Sequence, residues 1–91
     1  IGHLEACSGL ASVIKVILAM QHSLIPASLH FNKPNSRISW NDLPIEVVNK
    51  NTPWVNNDKK RIAGISAFGF SGTNCHIIVS EAPVFSITPP P

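Results

Sequence analysis

At 91 residues, with 13% charged side chains and a net charge of +2, the chain has about half the charge density of an ordinary soluble domain. A domain this small has proportionally more surface to wet, so the deficit implies that other protein covers part of it, while +2 is too little to single out nucleic acid or an anionic membrane as a partner. Cys7 and Cys75 lack metal-ligand spacing and fit the reduced thiols of a cytoplasmic protein, and the apolar run 10–20 is too short to cross a bilayer.

The chain opens in mid-motif on Ile1-Gly2-His3-Leu4-Glu5-Ala6-Cys7-Ser8-Gly9, without an initiating Met, as expected of a piece of a longer protein. From Leu4 to about His22 nearly every residue is apolar or small, which predicts a helix buried over most of its circumference. Ser8, Ser12 and Lys15 recur at three or four residues and mark its one narrow wet stripe. His3 would then stand at a helix start, where the dipole disfavours imidazolium and a neutral ring can donate to a developing oxyanion. The alternative for such a His is a cap or a packed side chain. Glu5 falls in the same first turn, where the dipole favours an acid. Gly9 is expected to permit a close backbone approach, and Pro26 stops helical continuation.

Between 24 and 44 the turn formers Asn32, Pro34, Asn35 and Ser36 alternate with Leu29, Phe31, Ile38 and Trp40, the pattern of an irregular but packed connection. His22 and His30 there read as ordinary packed or surface histidines. Ile45–Val48 is a short strand candidate, and 49–58 is turn-rich with Trp54 as its anchor. Lys59-Lys60-Arg61 reads as a solvated strand entrance. Arg61–Phe68 and Thr73–Ser80 are β-rich runs around Gly69-Phe70-Ser71-Gly72, which predicts an antiparallel hairpin. Ile77-Ile78-Val79 is continuous rather than alternating, as in a strand buried on both faces. The tail from 84 to 91 is an extended Pro-rich linker. The Gly-bracketed Phe70 can swing, because glycines absorb dihedral change, although an ordinary turn with a buried Phe has the same pattern.

GHLEACSG (2–9) and GISAFGFSGTNCHIIVSEAP (64–83) resemble the C-terminal part of a β-ketoacyl synthase (ketosynthase) domain of modular polyketide synthases, as do LHFNKPNSRISW, LPIEVV and Pro53-Trp54 between them. The resemblance runs from Ile1 to about Pro83, with 84–91 as a linker to a following domain. It implies an α/β fold: the C-terminal fragment of a thiolase-like layered αβαβα architecture. It further implies decarboxylative condensation of an acyl thioester with a malonyl-type extender, in polyketide or fatty acid biosynthesis. By that resemblance His3 would take the place of the second catalytic histidine. Phe70 would supply an oxyanion-hole N–H and gate the acyl tunnel, with Gly69, Ser71 and Gly72 as the loop around it. Glu5, Thr73 and Asn74 are expected as supporting residues, Thr73 and Asn74 tying the loop to the His3 region by hydrogen bonds. The nucleophilic Cys, the first histidine and a lysine are expected upstream of Ile1, so the fragment alone would be inactive. Cys7 and Cys75 occupy Ala-like positions and are expected to be buried. The resemblance implies no metal and no directly bound cofactor, substrates carried on the phosphopantetheine of an acyl carrier protein, and a homodimeric parent. A thiolase, with the same fold, would carry proline after its histidine where this chain has Leu4. A non-catalytic remnant that contributes only packing and partner surface is the other alternative.

Overall fold

In the computed structural model the described residues are 1–56 and 58–83; the Pro-rich tail 84–91 lies outside them. They form helix α1 (Ser8–Gln21), strand β1 (Leu24–Ile25), a 3₁₀ turn (Trp40–Asp42), strand β2 (Thr52–Pro53) and strands β3 (Ile62–Phe68) and β4 (Asn74–Ser80). β1 pairs antiparallel with β2, and β3 with β4, in two separate two-stranded sheets. No helix among the described residues is long and apolar enough to cross a membrane.

The helix begins four residues later than its apolar pattern predicts. Residues 5–7 form a turn, and the Ala11 N–H to Cys7 O bond of 3.0 Å opens the helical ladder. His3 and Leu4 are poor N-caps, so nothing draws the helix back to them. His3 and Glu5 therefore precede the helix and are not on its first turn. At the other end Ser23 takes a left-handed φ of 53°, and its N–H donates to Met20 O at 3.2 Å. That reversal leads straight into β1, before Pro26 is reached.

The expected wet stripe holds only at Lys15, which is exposed. Leu10, Ile14, Ile17 and Leu18 form an exposed apolar stripe, whereas Ser8 and Ser12 are half-buried, the Ser12 hydroxyl donating to Ser8 O at 3.0 Å. Among the described residues, only Ala19, Met20 and Ile65 of the apolar side chains are buried. The period fixes which residues share a face, but not which face this chain covers. The accessible surface of 8224 Å² compares with about 5,200 Å² for a compact monomer of this mass. α1 does approach β3 closely at Gly9, where an added Cβ would lie 3.5 Å from Ala67 Cβ.

In the middle of the chain Ile45–Val48 is not a strand. Val48 O accepts one bond, from Ser28 N–H at 2.7 Å, and the pairing goes instead to Leu24↔Pro53 and Ile25↔Thr52. The Trp54 N–H donates to Ser23 O at 2.9 Å, and its half-buried ring anchors this stretch as expected. The connection is less packed than its aromatics predict: Leu29 and Ile38 are exposed, and Phe31 and Trp40 are half-buried. Trp40 Nε1–H donates to Asn35 O at 2.9 Å. His22 and His30 are exposed.

The β3–β4 hairpin matches the predicted runs to within a residue, in a continuous register from Ile62↔Ser80 to Phe68↔Asn74. Its β3 residues alternate, with Ala63, Ile65 and Ala67 turned toward α1 and Ile62, Gly64, Ser66 and Phe68 exposed. β4 is not buried on both faces: Ile77 and Ile78 are exposed and Val79 is half-buried, because β3 is its only neighbour among the described residues. Cys7 and Cys75 are exposed free thiols, not buried ones.

The entrance to β3 is another departure. Lys59 and Lys60 are exposed as expected, but Arg61 is half-buried and pairs with Glu81 at 2.8 Å. The Arg61 guanidinium also donates to Trp54 O at 2.8 Å and to Ser23 Oγ at 3.0 Å. Glu81 Oε1 accepts from Asn56 Nδ2 and from the Arg61 N–H. One charged pair thus joins the hairpin base to the helix exit and to the residues following β2.

Candidate functional site

The loop end of the hairpin meets the segment ahead of α1. A cleft of about 350 Å³ is lined by His3, Leu4, Glu5, Ser8, Phe68 and Phe70. His3 lies in an irregular segment ahead of the helix and follows Gly2, whose φ of 68° is left-handed. Leu4 is half-buried beside it, while His3 and Glu5 are exposed. A second cleft of about 360 Å³ shares His3 and is lined further along the helix by Ser12 and Lys15.

The loop opposite is built by two glycines for two different reasons. The Gly69 N–H donates to Thr73 O at 2.7 Å, so close that a Cβ on Gly69 would stand 2.7 Å from that oxygen. Gly72 has φ +93°, a region L side chains rarely adopt, and its N–H donates to Gly69 O at 3.1 Å. These bonds leave Phe70 at the tip, its side chain fully exposed at 100%, with Phe68 at 76%. The Phe70 N–H has no intramolecular acceptor among the described residues, so this backbone donor is available to another group.

The structure thus brings together His3, Glu5 and Phe70. Gly69, Ser71 and Gly72 form the loop but do not line the cleft. Thr73 acts within the loop through its carbonyl, and Asn74 pairs with Phe68 in the ladder. Among the described residues no hydrogen bond joins either of them to His3. No group of three or more His, Cys, Asp or Glu among the described residues could hold a metal. An imidazole and an open backbone N–H at one cleft can donate hydrogen bonds to oxygens that gain negative charge during a reaction.

Residue reading missed two features. The Arg61–Glu81 pair spans 20 residues and has no local signature. The second is a cross-strand contact on the exposed face, Ser66 Oγ to His76 Nδ1 at 2.7 Å. A signal for it was present, since 66 and 76 are placed symmetrically about the loop.

The sequence model described as "Beta-ketoacyl synthase, C-terminal domain" matches residues 1–32, and that described as "Ketoacyl-synthetase C-terminal extension" matches residues 34–90. Erythronolide synthase EryA2 of Saccharopolyspora erythraea is 48% identical over 83 residues, which is 91% of this chain and 2% of that protein. Polyketide synthase GfsA of Streptomyces halstedii is 44% identical over 90 residues, 99% of this chain and 1% of that one. Among solved structures, the ketosynthase from module 6 of the bacillaene synthase of Bacillus subtilis 168 superposes with a TM-score of 0.78 at 37% identity, covering 85% of this chain and 14% of that one. Ketosynthase twelve from the bacillaene polyketide synthase of Bacillus amyloliquefaciens gives a TM-score of 0.84 at 31% identity, covering 91% and 15%. The chain therefore spans only a small part of the relatives it matches. The solved neighbours are ketosynthase domains, and the helix-and-hairpin arrangement is an α/β fragment of their thiolase-like fold.

Proposed function

The chain belongs to the β-ketoacyl synthase family, matching the C-terminal region of the ketosynthase domain of modular polyketide synthases, and on that premise we propose that His3 and the Phe70 loop are its share of a condensing acyltransferase site. Residues 1–83 form this portion of the domain and 84–91 the linker that follows. A cysteine from the rest of the domain takes up an acyl chain. The extender then loses carbon dioxide: its carboxylate C–C bond breaks, and the electron pair passes into an enolate. The enolate carbon attacks the acyl thioester carbonyl and displaces the cysteine thiolate. His3 donates a hydrogen bond to the extender's thioester oxygen as it becomes the enolate, and the Phe70 N–H donates to the acyl carbonyl oxygen. The Phe70 ring gates the acyl chain, while Glu5, Thr73 and Asn74 support the two arms. Substrates arrive on the phosphopantetheine of an acyl carrier protein, in a homodimeric, cytoplasmic synthase.

The observation that supports this reading is the shared cleft, which brings together residues 67 positions apart in sequence (70 − 3). The test scores acyl loading and ketide formation separately in the intact synthase. His3→Ala loads normally and loses condensation by about 10²–10³-fold, the usual effect of removing an oxyanion donor. Phe70→Ala keeps the backbone N–H and alters the acyl-chain length accepted more than the rate. Condensation by His3→Ala at the wild-type rate overturns the assignment.

A further inference from the structure

We propose that His76, held by Ser66, is a positioning residue for the Phe68–Phe70 arm of the cleft, an inference that rests on the ketosynthase reading above. The Glu81 N–H donates to Arg61 O at 3.0 Å and the Gly69 N–H to Thr73 O, so the pairs 61↔81 and 69↔73 belong to the hydrogen-bonded set of the ladder. Alternation then makes Ser66↔His76 a non-hydrogen-bonded pair, the kind in which facing side chains come closest. The 2.7 Å Oγ–Nδ1 contact follows from that placement.

The ring is confined on its other side by Gly64. A Cβ there would stand 3.1 Å from His76 Cε1 and 3.2 Å from Nε2, so the missing side chain is what gives the imidazole its place. A glycine inside an exposed strand weakens it, and a close approach by another group is the usual reason for one. His76, carried on β4, is therefore laid across two residues of β3, Gly64 and Ser66. The next residue on that face of β3 is Phe68, which lines the cleft and leads directly into Gly69. Its neighbours on that face are Asn74 opposite, Ser66 before it and His76 on the diagonal, within reach of a long side chain. Holding β3 to β4 at this point sets the twist from which the Phe70 loop departs. An exposed side-chain hydrogen bond adds little to stability, which makes geometry its main consequence.

The test uses the intact synthase with His76→Asn, His76→Gln and Gly64→Ala, each compared per mole of folded protein with its Tm recorded. An Asn side chain places its polar atoms near the position of Nδ1 and keeps the bond to Ser66, whereas Gln places them nearer Nε2 and loses it. Gly64→Ala leaves both polar partners and displaces only the ring. Acyl loading falls on the order of tenfold in His76→Gln and Gly64→Ala, since small misplacements carry such costs. It stays within about twofold of wild type in His76→Asn. The drop is in kcat, with KM for the acyl donor unchanged. Wild-type loading by His76→Gln or Gly64→Ala, or loading by His76→Asn as slow as by His76→Gln, overturns the proposal. His3→Ala is the control: if it condenses normally the ketosynthase reading itself falls, and if it is inactive while His76→Gln is normal, only the positioning role falls.

Discussion

At the base of the β3–β4 hairpin, Arg61 and Glu81 face each other with side chains only 15% and 18% exposed, tied to Trp54, Ser23 and Asn56. At its tip, Phe68 and Phe70 stand largely in the open on a loop closed by two glycine-dependent backbone bonds. The same pair of strands is thus fixed to its surroundings at one end and presents side chains at the other. Long-range charge-assisted bonds make the base rigid. Among the described residues the loop itself is closed by backbone bonds, which leaves an aromatic ring and an N–H free to meet a second group.

If the base is the fixed end, Arg61→Ala has the largest effect on stability, about 2 kcal/mol, because it leaves the Glu81 carboxylate half-buried without its cation. Denaturant unfolding of the intact domain measures it, and a loss within 0.5 kcal/mol would show that the base is no tighter than the tip. Gly72→Ala comes next, at about 1–2 kcal/mol, since the new side chain must occupy φ +93°. It distorts the tip while leaving the base bonds intact, so it lowers acyl loading by more than its Tm change explains. Lys59→Ala and Lys60→Ala are the smallest, within about 0.5 kcal/mol, because both side chains are exposed. A large effect at either lysine would mean that the whole basic trio, and not Arg61 alone, holds the base.

The hairpin was legible because its signals are local: β-branched and small residues on either side of a glycine-bracketed turn. The existence of α1 was legible for the same reason. Its start was not, because Leu4–Cys7 continues the apolar pattern without a capping residue. Its exposed face was not either, because periodicity carries no information about which neighbour lies where. Ile77-Ile78-Val79 shows the same limit, a strand composed for burial that β3 alone leaves exposed. Arg61 looked like one of three surface cations, since its partner lies 20 residues away. The candidate site was legible only as an expectation. The residues alone gave His3 as one candidate among several readings, and the family resemblance paired it with Phe70. The structure places both at one cleft, with His3 ahead of the helix instead of on it.

The central claim, that the His3 segment and the hairpin tip serve one reaction, is tested most directly by a crystal structure of the intact synthase with its nucleophile acylated and a decarboxylation-resistant malonyl thioester analogue bound. The account predicts the analogue's thioester oxygen within about 2.7–3.2 Å of a ring nitrogen of His3, and the acyl carbonyl oxygen at the same distance from the Phe70 N–H. An analogue bound in the active site with its thioester oxygen held by other groups and His3 turned away would contradict it.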